Sequence, residues 1–75
     1  MRRVPLSQLQ PGQSAKITAV PNIRLTEIGL IPGTNVKLIA KGPFKTPLHI
    51  SFHSCELLID RYTAEFVEVE LCGYF

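Results

Sequence analysis

The 75-residue chain has no tryptophan, one methionine and only two cysteines, Cys55 and Cys72. Two widely separated cysteines provide neither the closely spaced pairs of a zinc finger nor the dense framework of a disulfide-stabilised secreted domain. No apolar stretch of the secretion-signal kind follows the N-terminus. We therefore expect a reducing, cytoplasmic environment in which both thiols are free.

Charge is also sparse. Charged residues make up 19% of the chain, and eight Lys/Arg against six Asp/Glu give a net charge of +2. Apart from Arg2-Arg3 the basic residues are scattered, so no continuous basic face for nucleic acid is indicated. No apolar run approaches the roughly 20 residues of a membrane-spanning helix. With 45% hydrophobic residues, the chain is too apolar for intrinsic disorder. We expect one small domain over residues 1–75, without nucleic acid as partner and without direct membrane insertion.

Short alternations of apolar and polar residues, separated by proline and glycine, predict five β-strands. They cover residues 15–19, 36–40, 48–52, 57–59 and 67–71. Short links join most of them, and residues 60–64 have the composition of a turn or a single 3₁₀ turn. The pattern indicates an all-β protein, a small five-stranded β-barrel whose closure protects the strand edges.

One short α-helix is predicted after the first strand, over residues 22–28. The side chain of Asn22 can cap its N-terminus, and apolar residues three apart share one face. Gly29 follows where a left-handed C-terminal cap is favoured, with Leu30 placed for the accompanying hydrophobic contact. Two leucines three apart within residues 6–9 predict a short N-terminal helical turn.

The sequence contains no recognisable motif of catalytic residues. The Lys45-Thr46 pair lies too close to Gly42 for a phosphate-binding loop, and prolines interrupt the segment. Cys55 shares the inward parity of its strand, whereas His53 has the outward parity, so no base is predicted beside a nucleophile. We expect Cys55 to be buried and the protein not to be an enzyme.

A metal site is the other chemistry to consider. His49 and His53 are predicted on one strand face, but four residues along a strand separate the Cα atoms by roughly 13 Å. Two interpretations remain open. Both histidines are solvated, or they contribute to a site for Fe²⁺ or adventitious Zn²⁺ that Glu56, Cys72 or a second molecule completes. No cofactor is required by either interpretation.

Apolar residues with outward parity are more informative about function. Ile39, Leu58 and Phe66 each fall opposite the inward row of their strand, and Tyr74 and Phe75 end the chain. Either the helix or the N-terminal turn covers some of them, or they form an exposed patch of the kind that marks a partner surface. Apolar chain ends and open strand edges also leave weak homo-oligomerisation open.

Residues 24–34, Arg-Leu-Thr-Glu-Ile-Gly-Leu-Ile-Pro-Gly-Thr, resemble the signature of the FeoA family, ferrous iron transport protein A. The opening turn and loop over residues 6–12, the loop over 42–48 and the closing strand over 64–69 are also similar to that family. The resemblance extends from about residue 4 to residue 71. One departure is Ser54, where the family has a glycine in the hairpin turn.

This resemblance implies an SH3-like barrel that acts in the cytoplasm as an accessory protein of ferrous iron uptake. Its implied partner is the membrane transporter FeoB, through the cytoplasmic GTPase domain, which would place the protein peripherally at the inner membrane. The helix and the turn after it are the expected contact surface, with Arg24, Leu25, Glu27 and Leu30 as candidate contact residues.

Two alternatives to this function remain. The same barrel occurs in metal-responsive regulators of the iron-dependent repressor type, although no helix-turn-helix precedes the barrel in this sequence. A small RNA-binding barrel is the other alternative, for which the sequence offers few exposed aromatic residues and no basic stripe.

Overall fold

A computed structural model of the protein describes residues 3–71, with the side chain of Lys45 left out. The predictions made for Cys72, Tyr74 and Phe75 lie outside the described residues. No helix in the described part of the chain is long and apolar enough to cross a membrane.

In the described part of the chain, six strands form one antiparallel sheet with the order β1-β6-β2-β3-β4-β5. The strands are β1 Arg3–Pro5, β2 Ser14–Ala19, β3 Asn35–Lys41, β4 Leu48–Phe52, β5 Cys55–Ile59 and β6 Glu68–Leu71. Five of them correspond to the predicted strands. The sixth, β1, pairs with β6 through Val4 opposite Val69. Within residues 3–71, the edge strands β1 and β5 are not hydrogen-bonded to each other, so the sheet does not close into the predicted barrel at that point.

Two α-helices and two 3₁₀ turns connect the strands. They are a 3₁₀ turn at Leu6–Gln8, helix α1 at Ile23–Glu27, a 3₁₀ turn at Pro43–Lys45 and helix α2 at Arg61–Glu65. The prediction of the N-terminal turn and of α1 is confirmed. Residues 60–64 were predicted to form a turn or a single 3₁₀ turn, whereas the structure has an α-helix at Arg61–Glu65. Asp60 caps this helix by accepting a 2.6 Å hydrogen bond from the amide of Thr63.

The core consists of the inward rows of the strands, closed by side chains from the helical segments. Its buried members are Leu6, Leu9, Ala15, Ile17, Leu25, Leu30, Val36, Leu38, Leu48, Ile50, Phe52, Ile59, Ala64, Val67 and Val69. The alternation in the sequence therefore assigned the inward residues correctly for most strands. The outward residues Ile39 and Leu58 are exposed, as their parity predicts. Phe66 is exposed as well, but it follows α2 and does not lie on a strand.

Three described residues with inward parity depart from this agreement. Ala19 and Ala40, which follow register shifts in β2 and β3, are exposed, and Cys55 is the third. It has the inward parity, opposite Phe52, but the prediction that it is buried is wrong, since its side chain is exposed as a free thiol. Along β5 burial increases from Cys55 through the half-buried Leu57 to the buried Ile59. β5 is an edge strand, so a neighbouring strand covers Cys55 on one side only.

Candidate partner-binding surface

Large hydrophobic side chains are exposed around the two helices. They are Ile23, Ile28 and Ile31 on α1 and the turn after it, and Tyr62 and Phe66 on and directly after α2, with exposed fractions between 44% and 71%. Isolated apolar residues on a surface are ordinary, whereas a contiguous apolar patch is typical of an interaction site. Tyr62 and Phe66 are the members of this set that line one groove. The sequence-based alternative that a helix or turn covers Phe66 does not apply, since 71% of this residue is exposed.

Helix α1 is short, and local hydrogen bonds fix both of its ends. At the N-terminus, Asn22 Oδ1 accepts hydrogen bonds from the amides of Arg24, at 2.9 Å, and Leu25, at 3.4 Å. At the C-terminus, Gly29 adopts φ +103° and the chain turns back onto the helix. A helix of this length is not stable alone, so the buried side chains of Leu25 and Leu30 hold it on the sheet.

Helix α2 presents its aromatic residues outward in the same way. Ala64 is its buried residue, whereas Tyr62 and Phe66, four positions apart, share the exposed side. The guanidinium of Arg61 lies 5.4 Å from the centre of the Tyr62 ring. The Thr63 side chain and then the Thr63 amide, both hydrogen-bonded to Asp60, lower the pKa of that carboxyl below its ordinary value of 3.8.

A groove of about 410 Å³ runs between the N-terminus of α1 and the exposed side of α2. It is lined by Pro21, Asn22, Tyr62, Thr63 and Phe66, and we call it the apolar groove. Residues about forty positions apart in the chain thus form one surface, which extends the predicted contact surface on α1 to α2.

A second groove of about 280 Å³ adjoins the first. It is lined by Arg3, Val4, Pro5, Glu65, Phe66 and Glu68, and we call it the acidic groove. Phe66 belongs to both grooves and forms their common wall. Glu68 accepts a 2.8 Å hydrogen bond from Thr18 Oγ1 and lies 4.0 Å from the guanidinium of Arg3.

The four candidate contact residues from the sequence have different positions in the structure. Arg24 and Glu27 are exposed on α1. Leu25 and Leu30 are 7% and 0% exposed. Their side chains pack between the helix and the sheet and would contact a partner only if the helix separated from the sheet. Sequence reasoning missed Tyr62, because residues 60–64 were interpreted as a turn. The signal that could have found it is Asp60, an N-cap residue directly before a helix-compatible segment.

The two candidate metal ligands are not brought together. His49 Nε2 lies 2.6 Å from Glu56 Oε1 across the β4–β5 pair, whereas His53 lies in the hairpin turn beyond β4. His53 and Ser54 both have positive φ, 49° and 63°, which explains why a glycine suits the turn position that Ser54 occupies. Among residues 3–71 no three His, Cys, Asp or Glu side chains are grouped to hold a metal ion.

A small antiparallel β-sheet with a helix inserted after its second strand is the architecture of an SH3-like domain. The chain belongs to the FeoA family, since the FeoA domain matches residues 4–71. This family comprises small accessory domains associated with ferrous iron transport. The resemblance drawn from residues 24–34 is thereby confirmed.

Solved structures agree with this assignment. An iron uptake regulatory protein (FeoA) is 29% identical, with a TM-score of 0.83 over 93% of this chain and 97% of that chain. The zinc complex of Stenotrophomonas maltophilia FeoA is 28% identical, with a TM-score of 0.78 over 87% of each chain. That protein is described as a prokaryotic SH3 domain protein, with a suggested role as a ferrous iron transport activating factor.

The fold also occurs within a larger protein. T. acidophilum IdeR is 21% identical, with a TM-score of 0.80 over 95% of this chain and 35% of that chain. At this identity the likeness shows the fold alone. No curated protein matches the chain.

Proposed function

We propose that this protein is a cytoplasmic accessory protein of ferrous iron uptake. It binds the cytoplasmic GTPase domain of a FeoB-type transporter, which recruits it to the inner membrane, and it catalyses no reaction of its own. Membership of the FeoA family and the activating role suggested for the S. maltophilia relative support this function.

The observation that carries the proposal is the exposed apolar groove between α1 and α2. Tyr62 and Phe66 each leave 71% of their surface in water, and Ile23, at the start of α1, is equally exposed. Aromatic residues are enriched at the centres of protein interfaces, where they supply most of the binding energy. A small domain that leaves such residues uncovered has surface to bury against a partner.

Helix α1, whose N-cap residue Asn22 lines the groove, also carries exposed charges. Arg24 and Glu27 are both exposed on the helix whose first turn adjoins the groove. Charges at the rim of an interface mainly set the rate of association and exclude wrong partners. In this proposal Arg24 and Glu27 have that role, whereas the buried Leu25 and Leu30 hold α1 in position.

The test is binding of the purified GTPase domain of a FeoB-type transporter, measured by calorimetry without nucleotide, with GDP and with a non-hydrolysable GTP analogue. The informative variants are Ile23→Asp and Phe66→Ser, because both residues are exposed and Asp is favourable in the first turn of a helix. Phe44→Ser is the matched control, since Phe44 is 91% exposed and does not line either groove.

We expect the GTPase domain to bind the natural protein and the Phe44→Ser variant equally. Ile23→Asp and Phe66→Ser should each weaken binding by about tenfold or more. No binding in any nucleotide state by a folded protein would overturn the proposal, as would equal effects of all three substitutions.

A second candidate function is a metal-responsive module of the iron-dependent repressor type. The close approach of His49 to Glu56 is the observation in favour of this alternative. Metal-dependent oligomerisation, in the absence of any binding to the GTPase domain, would support this function over the first.

A further inference from the structure

We propose that strand β5 pairs edge to edge with β5 of a second copy of this chain, in an antiparallel register centred on Leu57. The two sheets then join across a twofold axis. This inference goes beyond the proposed function and does not depend on the transporter partner, because no residue of β5 lines either groove.

The two edges of the sheet differ in how well they are protected against further pairing. β1 is three residues long and contains Arg3 and Pro5, and a short edge strand with a charge and a proline resists the addition of another strand. β5 has five residues, Cys-Glu-Leu-Leu-Ile, without proline, lysine or arginine, and it pairs with β4 without a register shift. A regular, largely apolar edge of this kind is a template for another strand.

The hairpin turn determines which backbone groups of β5 face its outer edge. Both residues of the turn between β4 and β5 have positive φ, as in a two-residue turn of type I′, and such a turn makes Phe52 and Cys55 a hydrogen-bonded pair. Because hydrogen-bonded and non-hydrogen-bonded pairs alternate in an antiparallel ladder, the amides and carbonyls of Glu56 and Leu58 point away from β4. Within residues 3–71, no other strand lies at this edge and no backbone group of a turn or loop is bonded to either residue. Four backbone groups are thus available to a second strand.

One register of two β5 strands satisfies all four groups of each copy without opposing like charges. With the twofold axis at Leu57, Glu56 of each copy lies opposite Leu58 of the other, and the two pairs exchange four hydrogen bonds. An axis at Glu56 would place the two Glu56 carboxylates opposite each other. An axis at Leu58 would place Glu56 opposite Asp60. Like charges directly opposite each other are destabilising, so the sequence of the strand selects the axis at Leu57.

The same register accounts for the exposure of Cys55. On the inward side, Cys55 of one copy lies opposite Ile59 of the other, and the two Leu57 side chains face each other. In the single chain Cys55 is exposed and Leu57 is half-buried, although both share the inward parity of the buried Ile59. The second strand covers these side chains, and the apolar surface thereby removed from water favours association.

The outward side of β5 is compatible with the same pairing. Leu58 is 62% exposed, and Glu56 Oε1 lies 2.6 Å from His49 Nε2 of its own chain. Each carboxylate therefore has a partner within its chain and lies beside an apolar side chain of the other copy. Five paired residues form a smaller interface than that of a stable complex, so a dissociation constant of about 0.1 to 1 mM is expected.

The first experiment follows amide chemical shifts of the isotope-labelled full chain from about 20 μM to about 2 mM, a range that brackets this dissociation constant. EDTA is present, so that no metal ion held by His49 and Glu56 links two copies. We expect concentration-dependent shifts at the amides of Glu56 and Leu58, and sedimentation should show a monomer–dimer equilibrium over the same range. A protein that remains monomeric at the highest concentration would overturn the inference.

Variants of exposed residues then test the edge. Leu58→Lys places a lysine on the pairing strand and should weaken self-association by about tenfold. Ile39→Lys is the matched control, because Ile39 is also an exposed apolar residue but lies on β3, an interior strand. We expect the control to associate like the natural protein. Equal effects of the two substitutions, or no effect of Leu58→Lys, would overturn the inference.

Cross-linking tests the register. Both natural cysteines are replaced by serine, Leu57→Cys or Glu56→Cys is added, and oxidised glutathione is the oxidant. Leu57→Cys should form a disulfide-linked dimer, because the Cα atoms of a non-hydrogen-bonded pair lie about 4.5 Å apart. Glu56→Cys should link much more slowly, since each residue 56 lies opposite residue 58. Faster linking of Glu56→Cys would contradict the register, and self-association that occurs only without EDTA would overturn the inference, because a metal ion would then hold the two copies together.

Discussion

The backbone amide of Leu30 donates a 3.0 Å hydrogen bond to the carbonyl of Leu25, five residues earlier. Together with the 3.0 Å bond from the amide of Gly29 to the carbonyl of Thr26, it forms a Schellman motif that ends α1. The same reversal directs the side chain of Leu30 into the core, where it is fully buried. One backbone motif thus fixes both the end of the helix and its attachment to the sheet.

We expect Gly29→Ala to destabilise the protein by about 1 kcal/mol or more. Gly29 has φ +103°, a conformation that residues with a Cβ atom rarely adopt. Space is not the cause, because the nearest atoms to an added Cβ, on His53 and Phe52, are 3.9 Å away. Urea unfolding measures the effect. Thr26→Ala, at an exposed helical position, is the control that should change stability little, and an equal loss in both variants would contradict this explanation.

Gly42→Ala should be destabilising for a different reason. Gly42 has an ordinary φ of −74°, but an added Cβ would lie 2.5 Å from the carbonyl oxygen of Thr46 and 2.8 Å from Cδ of Pro47. Such overlap costs typically about 1–3 kcal/mol. Thermal unfolding measures it. If Gly42→Ala unfolds at the same temperature as the natural protein, the loop over residues 42–47 shifts to accommodate the added Cβ atom, and the prediction is wrong.

Leu30→Ala should cost about 2–5 kcal/mol of unfolding free energy, as expected for a fully buried leucine. Ile28→Ala, two positions away and 52% exposed, should cost less than about 1 kcal/mol. The two variants can be compared by urea unfolding. The Leu30 variant also separates an effect on folding from an effect on partner binding. If this variant remains folded, it should still bind the partner. Loss of binding by a folded Leu30 variant would mean that Leu30 contacts the partner directly.

The stability of the protein should depend on Asp60 at low pH. Hydrogen bonds from the Thr63 side chain and amide hold the pKa of Asp60 below its ordinary 3.8 in the folded protein. The contribution of Asp60 is therefore complete above the unfolded-state pKa and is lost as the pH falls from about 3.8 through the folded-state value.

Urea unfolding from about pH 5 to about pH 2 measures this loss. Asp60→Asn is the matched variant, since an amide oxygen can still accept from Thr63 but does not titrate. The natural protein should lose more stability than Asp60→Asn over this range. Parallel curves for the two proteins would exclude a role for Asp60 in the acid response.

Metal binding by the histidines remains a prediction, and the structure sharpens its test. Glu56 lies 2.6 Å from His49, so Glu56 is the group positioned to share an ion with His49. Zinc titration followed at the imidazole resonances should show a response that His49→Ala removes and His53→Ala retains. A response that requires both histidines would instead support the pairing first considered from the sequence.

Much of the fold could be predicted from the sequence because its causes are local. Alternation along a strand assigns Ile17, Leu38 and Ile50 to the interior, since successive side chains point to opposite faces. The order Asn22, helix, Gly29 predicts α1, because capping depends on neighbours only a few residues away. The family signature over residues 24–34 consists of this same local unit.

The remaining features depend on contacts between distant parts of the chain. Strand β1 forms because Val4 pairs with Val69, and Cys55 is exposed on the edge strand β5. The apolar groove joins Pro21 to Phe66, and the acidic groove joins Arg3 to Glu65. The sequence by itself determined five of the six described strands, the caps of α1 and the family, because these depend on neighbouring residues. Only the tertiary structure decided which surface is available to a partner, because sheet pairing brings distant side chains together.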